Sequence, residues 1–159
     1  MVHNRRRMGA QDITRCLDQN VSVMVGSVDS RGEPSTCRAL ALTSTDGLSS
    51  LTVYVPVSTS RETIANIAAT GRLTVVATHP IDHHSLQMKG TAATARLARQ
   101  DEAEAVHRGL LGFGALLNTI GIPPRVTNAV TWWPAFAIEM RVEEIFDQTP
   151  GPRAGARVT

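Results

Sequence analysis

Three short stretches carry side chains able to hold a charged or hydrogen-bonding ligand. Arg38 interrupts an apolar run of Cys37, Ala39, Leu40, Ala41 and Leu42. A guanidinium in that setting must face solvent or meet a partner, because burying it alone is costly. Its plainer reading is a solvent-facing strand residue. Thr59, Ser60 and Arg61 stand where a helix is predicted to begin. Free backbone N–H groups, two hydroxyls and an arginine at a helix start suit a phosphate, although helix capping explains the same residues. Gln87 opens the run Gln87 to Gly90. Its carboxamide supplies a donor and an acceptor, which matches the edge of a ring carrying alternating carbonyl and N–H groups. Taken alone it is a polar strand residue. No Ser/His/Asp order, glycine-rich nucleotide loop or paired-carboxylate motif accompanies these stretches, so no catalytic acid or base is assigned.

The elements around them read as mostly strands. Val21 to Val28 is rich in β-branched residues and is followed by the polar turn Asp29 to Gly32 and a second run from Ser35 to Thr43. That order predicts a hairpin. Thr45 to Gly47 makes the next turn, and Leu51 to Pro56 alternates as a third strand that proline ends, having no N–H for a ladder. Thr59 to Gly71 is the clearest helix. Thr59 and Glu62 have capping-box spacing, Ile64, Ile67 and Ala68 form its apolar face, and Gly71 closes it. Arg72 to Thr78 and Ser85 to Leu97 supply the fourth and fifth strands, and Phe136 to Phe146 the last. A short helix after Asp12 would place Ile13, Cys16 and Leu17 on one face. A helical pattern from Asp101 is weakened by Gly109, Gly112 and Gly114, which predicts a break there. The stretch from Ile122 to Trp133 gives no clear pattern.

Six strands, antiparallel by turn length, with one helix between the third and fourth, predict a mainly β (α+β) split barrel with a few peripheral helices. One domain is expected over residues 1–159, with extended tails at 1–11 and 148–159. The 159 residues suffice for a core, and no apolar run approaches the roughly 20 residues of a membrane helix. Arg5, Arg6 and Arg7 precede no apolar stretch, so no secretory signal is read and the cytoplasm is the expected compartment. Nucleic acid is not an expected partner: net charge is only +2 and aromatics are 4%, too few to interleave a basic stripe.

Other features have bland readings. Cys16 and Cys37 lack metal-ligand spacing and read as small buried hydrophobes rather than a disulfide. His83 and His84, near His79 and Asp82, read as a surface turn, since neighbouring strand residues face opposite ways. No metal site is assigned. Trp132 and Trp133 read as packing residues. Asp101, Glu102 and Glu104 fit a first helical turn complementing the helix dipole.

In order and spacing, the three stretches resemble the pyridoxamine 5'-phosphate oxidase-like family of split barrels that bind flavin mononucleotide (FMN). The likeness runs from about Val21 to Gly90, beginning with a hairpin of the form V-G-S-V-D-S-R-G-E-P. The resemblance implies that Arg38 reaches the flavin phosphate and that the main chain at Ala39 and Leu40 runs beside the flavin. It further implies that Val55 and Pro56 border the ring, that Ser60 and Arg61 bind phosphate, and that Gln87 contacts the ring system. It implies a homodimer with the cofactor site at the interface and a small-molecule substrate. The segment Phe146 to Gly155 is similar to a tail in a subset of the family. The chain also departs from the pattern. The true oxidase has a lysine where Thr43 stands and a basic residue where Glu62 stands, and its C-terminal arginine-histidine motif is absent here. The reading is therefore a flavin-dependent oxidoreductase other than pyridoxamine phosphate oxidase. A deazaflavin- or haem-binding barrel and a non-enzymatic flavin binder are the alternatives.

Overall fold

The computed structural model describes Ile13, Leu17 and residues 20–44 and 48–158. The turn predicted at 45–47, and Asp12 and Cys16, lie outside the described residues. Ile13 and Leu17 are helical, and Ile13 is buried in the core.

Alternating apolar and polar residues give one sheet with one buried face. Its strands are β1 (Ser22–Val28), β2 (Pro34–Ala39), β3 (Ala41–Ser44), β4 (Ser50–Pro56), β5 (Arg72–Thr78), β6 (Ser85–Leu97), β7 (Ala135–Asp147) and β8 (Ala156–Arg157). They run in the order β2-β1-β5-β6-β7-β4-β3, with β8 added on β7, and every pairing is antiparallel. The sheet curls into a split barrel because β2 and β3, its two ends, are joined through the single residue Leu40. The expected six strands thus become eight. The predicted second strand leaves β1 at Leu40, whose N–H donates to the Tyr54 carbonyl at 2.8 Å, and continues as β3 on β4. The predicted extended tail is instead a set of turns that returns as β8.

The barrel interior is a row structure. Cys37, Val25, Val75, Met88 and Ile145 are register partners across five strands and are all buried. Helix α1 (Arg61–Thr70) packs on the inner side of β1 and ends at Gly71 in the left-handed conformation, as the sequence predicts. Its packed face differs from the expectation. Thr63, Asn66 and Ile67 are buried, Ile64 is half-buried and Ala68 exposed. Polar bonds explain the choice: Asn66 Nδ2 donates to Ser27 Oγ at 3.2 Å, and Thr70 Oγ1 donates to the Val28 carbonyl at 3.0 Å. The capping box at Thr59 and Glu62 does not form either. The N-cap is Ser60, which moves Glu62 one position too early for the pairing.

Helix α2 (Ala103–Thr119) runs unbroken through its three glycines and covers the outer side of β3, β4 and β7. Close approach is the reason. A Cβ on Gly109 would lie 2.8 Å from both the Ala41 Cβ and the Leu40 carbonyl oxygen, and one on Gly114 2.8 Å from Thr127 Oγ1. The missing side chains let the helix settle on the sheet and on α3 (Pro124–Asn128), and that contact outweighs the roughly 1 kcal/mol of lost helix propensity per glycine.

Candidate functional site

β2 does not pair with β4, so the sheet has a break between them, the notch. In the β3–β4 register Ala41 faces Tyr54 and Leu42 faces Val53. Continued backward, that register sets Ala39 level with Pro56 and Arg38 level with Val57, where β4 has already ended. The chain then turns, with the Thr59 N–H bonding the Pro56 carbonyl at 3.3 Å, and enters α1 at Ser60 and Arg61. Of the residues singled out in the sequence, Ala39, Leu40, Val55, Pro56 and Ser60 are buried, while Arg38 and Arg61 are exposed, Arg38 on the outer face of the sheet and Arg61 at the start of α1, which packs on its inner side. The first turn of α1 lies against the strand that carries Arg38. Burial pushes the Cys37 thiol upward in pKa, and Thr63 beside it acts in the opposite sense. Thr63 Oγ1 is buried, with no partner at hydrogen-bond geometry among the described residues.

The polar groups of the notch differ in availability. Ser60 is fully buried and its hydroxyl donates to the Pro56 carbonyl at 2.6 Å, so its proton is engaged within the fold. Arg38 and Arg61 are both exposed. Arg38 Nη1 donates to Ser22 Oγ at 2.9 Å, and the guanidinium lies over the Phe113 ring, 5.6 Å from its centroid. Among the described residues neither arginine pairs with a carboxylate. An exposed guanidinium and the free N–H groups of a helix start are each able to donate to a phosphate.

Gln87 is not in the notch. It belongs to a second row, Arg38, Met24, Val76, Gln87 and Phe146, which are register partners on the outer face of the same sheet. Three inter-strand steps separate Gln87 from Arg38, roughly 14 Å at about 4.8 Å per step. Between them Met24 and Val76 form an apolar floor. A depression of about 610 Å³ lies over part of this face, lined by Met24, Thr74, Val76, Gln87, Lys89 and Glu144 among others but not by Arg38. Gln87 Oε1 accepts a hydrogen bond from Gln148 Nε2 at 3.0 Å.

A charged cluster missed in the sequence fixes α2 over the notch. Glu102 accepts two bonds from Arg96, at 2.7 and 2.9 Å, one from the Arg99 N–H at 2.7 Å, and one from Tyr54 Oη at 3.1 Å. The Arg96 guanidinium is the main cause that holds its carboxyl down at about 2, while burial raises Tyr54, helped by the Glu102 charge. Only tertiary structure brings Tyr54, Arg96 and Glu102 together, so the acidic cluster alone gave no signal beyond helix-end electrostatics. Ser22, Phe113 and Gln148 were missed for the same reason. Trp132 stacks on His107 at 4.6 Å and 18° and packs beside the α2 cluster. His79 pairs with Asp82 at 2.9 Å in an exposed turn.

No family model matches the sequence, and no curated protein matches it significantly. Solved structures do match its fold. A candidate pyridoxamine 5'-phosphate oxidase from Lactobacillus delbrueckii is 17% identical, with a TM-score of 0.54 over 90% of this chain and 96% of the other. An F420 reductase is 14% identical, with a TM-score of 0.52 over 82% and 93%. HutZ, a haem storage protein of Vibrio cholerae, is 11% identical, with a TM-score of 0.51 over 89% and 95%.

Proposed function

Given the split-barrel fold of the pyridoxamine 5'-phosphate oxidase-like proteins, we propose that this chain binds FMN and acts as a flavin-dependent oxidoreductase on a small substrate. What supports the reading is that Arg38 on β2 and Arg61 at the start of α1, a helix packed against β2, are both exposed and pair with no carboxylate among the described residues. Arg38, Arg61 and the N–H groups of the α1 start hold the phosphate. Ala39 and Leu40 pass beside the flavin through their main chain, and Val55 and Pro56 bound the notch wall. Met24 and Val76 offer an apolar floor that leads to Gln87, whose carboxamide meets the ring edge. Bound flavin supplies the electron transfer, and the protein supplies orientation and electrostatics. Thr43 and Glu62 leave this phosphate fewer cations than the true oxidase gives, which separates the chain from pyridoxamine phosphate oxidation.

The protein works in the cytoplasm as a homodimer. On the outer face Met24, Val76 and Phe146 are only partly covered, and Leu111 and Val126 on the helices are each 52% exposed. A second copy would cover such apolar surface and close the flavin site. No helix among the described residues is long and apolar enough to cross a membrane.

The test is the absorption spectrum of purified protein before and after incubation with FMN. Bands of protein-bound oxidised flavin support the reading. A Soret band would assign haem, a single near-ultraviolet band a deazaflavin, and no uptake of FMN would overturn the proposal. Bleaching of bound flavin by NADH or NADPH then separates an enzyme from a binder. Sedimentation as a monomer at micromolar concentration would remove the dimeric site.

A further inference from the structure

The C-terminal segment is tied to the outer-face row by its main chain and by one side chain. Beyond β7, the Gln148 N–H donates to the Ser85 carbonyl at 2.9 Å, so this residue remains joined to β6. The buried Asp147 accepts the Thr149 N–H at 2.9 Å through Oδ1, and Thr149 Oγ1 accepts the Ser85 N–H at 3.1 Å. The chain then turns back, with the Gly155 N–H on the Asp147 carbonyl and the Val158 N–H on the Ile145 carbonyl, both at 2.7 Å. Gln148 is thus pinned on both sides by backbone bonds that its own side chain does not make. That side chain reaches Gln87, Nε2 to Oε1 at 3.0 Å, at the edge of the 610 Å³ depression.

A carboxamide has one acceptor edge and one donor edge. With its oxygen held by Gln148, Gln87 has its NH2 edge left for a ligand on the outer face. We propose that Gln148 is a positioning residue that fixes Gln87 as a hydrogen-bond donor, so that the ligand edge meeting Gln87 must be an acceptor such as a ring carbonyl or an unprotonated ring nitrogen. The inference rests on the flavin reading and deepens it. A donor aimed at a ring acceptor favours the more electron-rich state of the ring, so the fixed amide also raises the midpoint potential of bound flavin.

Gln148→Glu is the decisive variant, because a carboxylate can only accept. Gln87 must then turn its NH2 edge to residue 148 and its oxygen to the ligand. Gln148→Leu removes the contact without reversing it. FMN affinity, followed by quenching of flavin fluorescence, is expected to fall about 3- to 10-fold in Gln148→Leu and further in Gln148→Glu. The midpoint potential of the bound flavin is expected to move negative in the same order. In a Gln87→Leu background both Gln148 substitutions should have no further effect on affinity or potential, which a merely structural role for Gln148 would not produce. Wild-type protein that takes up no FMN would overturn the flavin reading and this inference with it. Wild-type protein that binds FMN, with Gln148 variants matching it, or with losses persisting in the Gln87→Leu background, would overturn the inference alone.

Discussion

Two rows of side chains cross the same five strands one residue apart. The inner row, Cys37, Val25, Val75, Met88 and Ile145, is at most 5% exposed and holds no charge. The outer row, Arg38, Met24, Val76, Gln87 and Phe146, holds a guanidinium and a carboxamide at separate positions with apolar residues between and beside them. A one-residue slip in any strand would exchange the two faces, so the buried row sets the register that places the outer one. The inner row therefore stabilises the fold, and the half-open outer row contributes less to it.

The sharpest break of that comparison is a truncation in each row. Met88→Ala empties a fully buried site and is expected to lower unfolding free energy by about 2–5 kcal/mol. Val76→Ala, on the half-open face, should lower it by about 1 kcal/mol, half the value of full burial. Urea denaturation of both variants checks the contrast, and equal losses would show that the outer face is buried in solution by a partner. Next in size, Arg38→Ala and Arg61→Ala should each weaken FMN binding by about 1.5–3 kcal/mol while leaving the urea midpoint nearly unchanged. Affinity unchanged in both would remove the phosphate site from the notch.

The strand pattern was legible because period-two alternation is local. β1, β4, β5, β6 and β7 follow from it nearly residue by residue, as does the left-handed close of α1 at Gly71. The candidate phosphate site came from resemblance alone, since nothing local tells Arg38 that it will lie level with Val57. Neither the kink at Leu40 nor the return of β8 leaves a composition signal, because both are set by which strand end remains unpaired. α2 is the instructive failure. Gly109, Gly112 and Gly114 count against a helix on propensity, yet each marks a close approach that propensity cannot see. Gly109→Ala tests this directly. On an exposed helix it would stabilise by about 1 kcal/mol. Here its Cβ meets the Leu40 carbonyl and Ala41 Cβ at 2.8 Å, so a net loss of about 1–3 kcal/mol is expected by thermal or urea unfolding. A gain would mean that α2 sits farther from the kink.

The smallest effect concerns what holds α2 above the notch, apolar contact or charge. Val106 and Leu110 bury against Tyr54 and Ala137, whereas Glu102 binds Arg96, Arg99 and Tyr54 at the other end of the same contact. The Glu102 carboxyl is held near 2, below its ordinary value of 4.5. A depressed folded-state value means that the unfolded chain takes up the proton first, so this group stabilises the fold fully above about pH 4.5 and loses that contribution as pH falls toward 2. Asp29 and Asp82 are also lowered and add their own acid-side losses. Glu102→Gln keeps the shape and removes the titration at one site only. The difference between the urea midpoints of wild type and Glu102→Gln should therefore be constant above pH 5 and shrink between pH 4.5 and 2, as the approximate values of 4.5 and 2 require. Tyr54, raised by burial, remains a phenol donor throughout that range and contributes no slope of its own. Parallel curves down to pH 2 would mean that the charge cluster adds nothing to the seat of α2, and that Val106 and Leu110 hold it alone.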